Sequence, residues 1–127
     1  MKITLEQAAQ MVADAQTVIL TSHIRPDGDS IGSTLGLMHY LRERGKDARV
    51  LIDDEIPRIF RVLPGIEQIE RPAEGMRYTA DLLIVCDVEL KRTGAVLDAV
   101  DAVRVLNIDH HVTNDEAAEY LYLNPDY

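Results

Sequence analysis

Val18-Ile19-Leu20-Thr21-Ser22-His23-Ile24-Arg25-Pro26-Asp27-Gly28-Asp29-Ser30 passes from an apolar, partly β-branched run into a loop crowded with metal-ligand side chains. The run reads as a buried strand. Ser30 is placed to cap a helix from Ile31 to about Arg44, which Gly45 stops. The same punctuation recurs along the chain. Ala48 to Ile52 reads as a strand that turns at Asp53-Asp54-Glu55. Leu82-Leu83-Ile84-Val85-Cys86 is the clearest strand and runs into Asp87, and Val103 to Ile108 runs into Asp109-His110-His111. Leu5 to Ala15 carries apolar residues at helical spacing behind Thr4 as N-cap. A short helix is expected over Pro57 to Leu63, ended by Pro64-Gly65, another over Ala95 to Val100, and a last strand over Tyr120 to Leu123. Strands alternating with helices predict an α/β fold: a doubly wound, mostly parallel sheet with helices on both faces. In such sheets ligands bind beyond the carboxyl ends of the strands. His23, Asp87 and Asp109-His110-His111 all fall there.

Composition narrows the classes. The 127 residues suffice for one domain with a core, and no repeat, low-complexity tract or linker divides them. Hydrophobic content of 46% and charged content of 28% suit a globular protein. No apolar run approaches the roughly 20 residues of a membrane span, and the first residues lack the apolar core of a signal peptide. Cys86 is the single cysteine, so an internal disulfide is excluded and a cytoplasmic setting is expected. A net charge of −9 argues against non-specific binding of duplex DNA.

The clustered residues carry the chemistry. In His23-x-x-x-Asp27-x-Asp29, Gly28 is expected to allow a tight path, and the two acids, two apart on an extended loop, to face different sides. Ser30 and the helix N-terminus behind it favour a phosphate nearby. Asp87, a carboxylate at the end of a buried strand, must be paired or ligated, which makes it a candidate bridge between two metals. Adjacent histidines on a strand end are expected to point in opposite directions, so that of His110 and His111 one can ligate a metal while the other faces substrate or supports a ligand from behind. The mixed oxygen and nitrogen set suits Mn²⁺, with Mg²⁺, Co²⁺ and Zn²⁺ as alternatives. Two such ions about 3.5–4 Å apart activate a water and clamp an in-line displacement at phosphorus. Cys86 reads as core packing, His39 as an ordinary helix residue, and Asp53 and Asp54 as a solvated turn. Arg92 can reach a phosphate or form a surface salt bridge.

Ser22 to Ser33, Val85-Cys86-Asp87 and Asn107-Ile108-Asp109-His110-His111 resemble three motifs of the DHH phosphoesterase superfamily. Pro26-Asp27-Gly28-Asp29-Ser30 with Gly32-Ser33 is most similar to the nanoRNase and pAp phosphatase group. So are Ile56-Pro57 through Leu63-Pro64-Gly65, Arg92-Thr93-Gly94 and Asn124-Pro125. The resemblance implies a Rossmann-like DHH domain over residues 1–127. It implies that His23 and Asp27 bind one metal, that Asp29 and His110 bind the other, and that Asp87 bridges them. It places His111 on the substrate side and has Asp109 orient its neighbours, with Arg92 and Ser30 as weaker substrate contacts. The implied function is a manganese-dependent phosphohydrolase that uses a two-metal-activated water. It would act on short oligoribonucleotides as a 3′–5′ exoribonuclease and on pAp as a phosphatase. The family carries a fourth motif, an aspartate beyond the histidine pair, and a C-terminal DHH-associated domain. This sequence ends sixteen residues after His111, and neither Asp115 nor Asp126 matches the missing position. The expectation is therefore an N-terminal lobe lacking both. Family II inorganic pyrophosphatases and cyclic dinucleotide phosphodiesterases share the motifs and stay open as alternatives. So does a non-catalytic metal- or nucleotide-binding lobe. The partners expected are short RNA or a small nucleotide and no membrane, with self-association left open.

Overall fold

The computed structural model describes residues 1–111 and 114–124; Pro125 and Asp126 lie outside them. In chain order the elements are α1 (Leu5–Asp14), β1 (Thr17–Thr21), α2 (Gly28–Glu43), β2 (Asp47–Leu51), β3 (Ile69–Glu70), β4 (Tyr78–Cys86), α3 (Val96–Ala99), β5 (Val100–Asp109) and β6 (Tyr120–Leu123). The six strands form one sheet in the order β3-β2-β1-β4-β5-β6. Every pairing is parallel. The chain moves outward from β1 to β2 and β3, then returns to place β4 on the other side of β1. That reversal makes the crevice between β1 and β4 the ligand-binding position of a doubly wound sheet.

Side-chain alternation divides the core into two layers. Val18, Leu20, Leu82, Ile84 and Leu106 face one way, against Met11 of α1 and Ile31, Leu35, Met38 and Leu41 of α2. Ile19, Leu83 and Val85 face the other way, against Val88, Val96 and the half-buried Leu97. Helical cover therefore lies on both faces, although α3 is a single turn. Among the described residues no helix is long and apolar enough to cross a membrane.

Local chemistry explains the boundaries. Thr4 and Gln7 form a capping box at α1 (3.1 and 2.9 Å). At the end of α2, Gly45 lies at φ +80, its N–H on the Arg42 carbonyl and the Lys46 N–H on that of Leu41, a Schellman closure. The start of α2 differs from expectation: Asp27, not Ser30, is the N-cap. Its carboxylate accepts the Ser30 N–H at 2.8 Å, while the Ser30 hydroxyl accepts the Asp27 N–H at 2.9 Å. A charged cap with a reciprocal partner three residues on outcompetes a lone serine. Gly28 is thereby the first helical residue and needs no special backbone freedom.

The expected helix over residues 57–63 is only a 3₁₀ turn at Arg58–Phe60, with a second at Ile66–Gln68 leading into the unforeseen β3. Strands β4 and β5 begin earlier than their apolar runs, at Tyr78 and Val100. Asp81 is tolerated inside β4 because its carboxylate accepts the N–H groups of Gln16 and Thr17 at 2.9 and 3.1 Å.

His39 is more than an ordinary helix residue. Gly65 sits at φ +83, and a Cβ there would lie 2.6 Å from His39 Nε2. Gly65→Ala is expected to cost at least about 1 kcal/mol from its left-handed backbone alone, and more from the collision. In a His39→Ala background only the backbone cost should remain. Urea denaturation of the double-mutant cycle measures the difference.

Candidate metal centre

The rim of the crevice is assembled from strand exits. At the exit of β1, the Ser22 hydroxyl donates to the Cys86 carbonyl at 2.7 Å, joining the ends of β1 and β4. His23 follows, with its side chain 14% exposed. Its Nδ1 lies 2.7 Å from the Ile24 carbonyl oxygen. A carbonyl only accepts, so Nδ1 carries a proton, and in the neutral ring Nε2 keeps its lone pair. That Nε2 stands 3.7 Å from the Asp27 carboxylate. The backbone N–H of Ser30, its largest influence, helps hold the Asp27 carboxyl below the usual range against the opposing effect of burial.

At the exit of β4, Asp87 turns into the left-handed region at φ 68, an unusual conformation for a non-glycine residue. Its N–H is fixed on the Ile108 carbonyl at 2.9 Å. Its carboxylate, 12% exposed, meets His110 Nε2 at 2.6 Å. The preceding Cys86 is buried, and burial, reinforced by the charge on Asp87, pushes its thiol up to about 12. It remains a protonated packing group beside the site.

At the exit of β5, Asp109 is 1% exposed. One carboxylate oxygen accepts the N–H groups of His110 and His111 (2.8 and 3.3 Å) and His111 Nδ1–H (2.6 Å). The other accepts from the Asn114 amide at 2.8 Å. Burial pushes the Asp109 carboxyl up, yet these donors outweigh it and hold the carboxyl below its ordinary value. The histidine rings do not diverge as expected: their centroids lie 4.2 Å apart, tilted by 35°. The strand ends at Asp109, so pleat alternation no longer governs the pair, and the Asp109 carboxylate gathers both N–H groups into a turn.

Two groups of donors result. Asp87, Asp109, His110 and His111 each offer a ligand atom within 4.8 Å of the others, and so do His23, Asp27 and Asp87. Asp87 belongs to both. The donor sets, carboxylate oxygens and imidazole nitrogens that range from the buried Asp109 to the exposed Asp27 and His111 and share Asp87, fit divalent metal ions. A cleft of about 210 Å³ opens here, lined among others by His23, Asp27, Asp87, Arg92 and His111. Asp29 belongs to neither donor group. It lies in the first turn of α2 and lines a neighbouring recess of about 360 Å³ with Asp87 and His110. Ser30 is fully buried and its hydroxyl bonds both the N–H and the carbonyl of Asp27, so it supports the loop and does not face the cleft. Asn114, Glu89, which lines the cleft and accepts the Asp115 N–H at 3.0 Å, and the role of Asn107 escaped the sequence reading. The Asn107 amide spans the Val85 and Val88 carbonyls (3.0 and 2.7 Å) and its oxygen accepts from Asn114 (3.0 Å). Polar Asn107 within an apolar strand, two residues before Asp109, was the available signal.

The N-terminal domain model of the DHH family matches residues 17–127. The chain is 36% identical over 108 residues to the bifunctional oligoribonuclease and PAP phosphatase NrnA of Thermus thermophilus, covering 85% of this chain and 32% of that protein. It is 26% identical over 108 residues to the protein of that name from Bacillus subtilis, with 85% and 33% covered. It therefore spans about a third of the length of these relatives. Among solved structures, an exopolyphosphatase-related protein from Bacteroides fragilis superposes with a TM-score of 0.83 at 27% identity, covering 96% of this chain and 38% of that one.

The Asp109 network has a pH signature. A carboxyl lowered in the fold contributes stability that is full above its unfolded value of about 3.9 and is lost as pH falls through the folded value. Asp109→Asn is expected to cost the metal-free protein about 1–3 kcal/mol at neutral pH, with the gap to wild type closing in acid. Urea melts across pH check this; a gap that ignores pH contradicts it.

Proposed function

This chain belongs to the DHH family, and from that premise we propose that it is the metal-binding lobe of a phosphohydrolase. Its substrates on this reading are pAp and short oligoribonucleotides, and its ions are two Mn²⁺. The observation that carries the proposal is Asp87, shared by the two donor groups. The names of the NrnA relatives support the substrate class.

On this reading His23 and Asp27 would hold one ion and His110 the other, with Asp87 common to both groups; Asp29, outside both groups, would join His110 from the recess it shares with Asp87 and His110. The chemistry supplied by a divalent ion bound there would be a lowered pKa for water and polarisation of the phosphoryl oxygens. The residues do the positioning. His111, with Nδ1–H held by Asp109 at 2.6 Å, presents Nε2 to the cleft and can move a proton at the leaving oxygen as the P–O bond breaks. Arg92 lines the same cleft, and its guanidinium steers the substrate phosphate against the chain's negative charge. Asp109 acts through His111. The lone buried thiol of Cys86 suits a reducing, cytoplasmic compartment.

With Mn²⁺, the phosphohydrolase that carries this lobe is expected to release phosphate from pAp and mononucleotides from very short RNA. It should leave pyrophosphate and cyclic dinucleotides largely intact. Losing a partner that only orients a ligand commonly costs about 10–100-fold; Asp87 is itself the carboxylate common to both donor groups, so Asp87→Ala should lower turnover by about 100-fold or more. Unaltered turnover in Asp87→Ala, or a preference for pyrophosphate, overturns the reading.

A further inference from the structure

The turn after β2, expected to be a solvated Asp53-Asp54-Glu55, is built into the rim. Asp54 accepts the Arg25 N–H at 2.8 Å on one carboxylate oxygen and the Glu55 N–H at 2.8 Å on the other. Asp53 accepts the Ala95 N–H at 2.8 Å and pairs with Arg71 at 3.5 Å. The Ile24 N–H donates to the Arg92 carbonyl at 3.0 Å. Exits of four neighbouring strands are thus sewn together. Gly94, at φ +68, completes the fit: a Cβ there would lie 2.5 Å from the Asp53 carboxylate and 3.0 Å from the Ile24 side chain.

One bond of this set reaches His23. The Arg25 N–H that Asp54 holds and the Ile24 carbonyl that accepts from His23 Nδ1 at 2.7 Å belong to the same peptide group. Among the described residues no peptide bond is cis, so this N–H and C=O point in opposite directions, one to each partner. Arg25 itself is held at φ 56, a conformation non-glycine residues adopt only when their surroundings impose it. A carboxylate accepting from the N–H draws electron density toward the carbonyl oxygen and makes it a better acceptor.

We propose that Asp54 is a positioning residue for the His23 donor group, acting through the Ile24–Arg25 peptide to fix the His23 ring and its Nδ1–H tautomer so that Nε2 presents its lone pair to a divalent cation. The inference rests on the metal-binding reading of the rim. It adds a residue outside both donor groups and one strand away from His23. Metal-binding histidines generally need such an outer partner on the second ring nitrogen; here a peptide supplies it and Asp54 holds the peptide.

Two readouts test this without turnover. In the metal-free protein, at a pH where the imidazole is neutral, nitrogen NMR should show His23 as the Nδ1–H tautomer in wild type and a tautomer mixture in Asp54→Ala. By calorimetry, Asp54→Ala should weaken Mn²⁺ binding by about 10–100-fold. Asp54→Asn, which keeps an acceptor but not its charge, should retain the tautomer and lose only about threefold. In Asp54→Ala, wild-type affinity, or weaker binding with the His23 tautomer unchanged, overturns the proposal. If Asp54→Ala does not fold, Asp54→Asn decides: weakened binding in a folded protein supports the relay, and wild-type affinity refutes it. Should wild type itself bind no Mn²⁺, the phosphohydrolase reading falls, while the tautomer of the metal-free protein still tests the link from Asp54 to His23.

Discussion

Parallel pairing of β1 with β4 is the constraint from which the site follows. Val18 to Thr21 run in register with Leu82 to Val85, so both strands deliver their next residues to the same edge. The register of β4 with β5 brings Cys86 beside Ile108, which sets Asp87 next to the start of the histidine turn. No long-range electrostatics is needed to gather these groups. A sheet whose strands all point one way, with both faces buried under apolar side chains, has already placed their exits within reach of each other. The hydrogen bond from Ser22 to the Cys86 carbonyl then closes the gap where the ladder between β1 and β4 ends.

Gathering carboxylates at one edge creates an electrostatic problem, and the rim resolves it with donors. Asp27, Asp54 and Asp109 each accept backbone N–H groups. Asp87 and Asp109 each meet an imidazole at 2.6 Å. Burying a carboxylate without partners is expensive, and the 1% exposure of Asp109 is sustainable only because both of its oxygens are occupied. Asn107 and Asn114 extend the same logic, since each buried amide group spends its capacity on the exit of β4 or the turn beyond β5.

Most of this was legible in the sequence because strand periodicity and ligand-type residues coincide: each apolar run ends at a residue with metal-binding chemistry. The sheet, its strand–helix alternation and the convergence of His23, Asp87, Asp109, His110 and His111 on one edge all follow from that. What escaped depended on one-residue questions of direction. Asp27 displaced Ser30 as helix cap, which put Asp29 in a helical turn and not on an extended loop. The strand stopped at Asp109, which let two rings expected to diverge lie together. Asp53 and Asp54 looked like a solvated turn because their partners, the N–H groups of Ala95 and Arg25, are backbone atoms that any residue carries. Contacts to main chain leave no mark in sequence pattern.

The division of labour among the acids now has a physical reason. Asp53, Asp54 and Asp109 satisfy their charge within the protein, through N–H donors, an arginine or a histidine. Their oxygens are already engaged, those of Asp109 included although it lies within reach of the histidine donors, so they have less to gain from a cation and much geometry to impose. Asp27, its side chain 59% exposed, and Asp87, bonded mainly to a histidine that is itself a donor, retain oxygens facing the cleft. Adding a divalent ion therefore relieves repulsion among the second set while leaving the first set's bonds in place. Binding free energy then adds directly to folding free energy, as it does for any ligand taken up by the native state alone. A rim whose scaffolding acids are neutralised internally keeps its shape before metal arrives, and so spends little of that energy on ordering the loops.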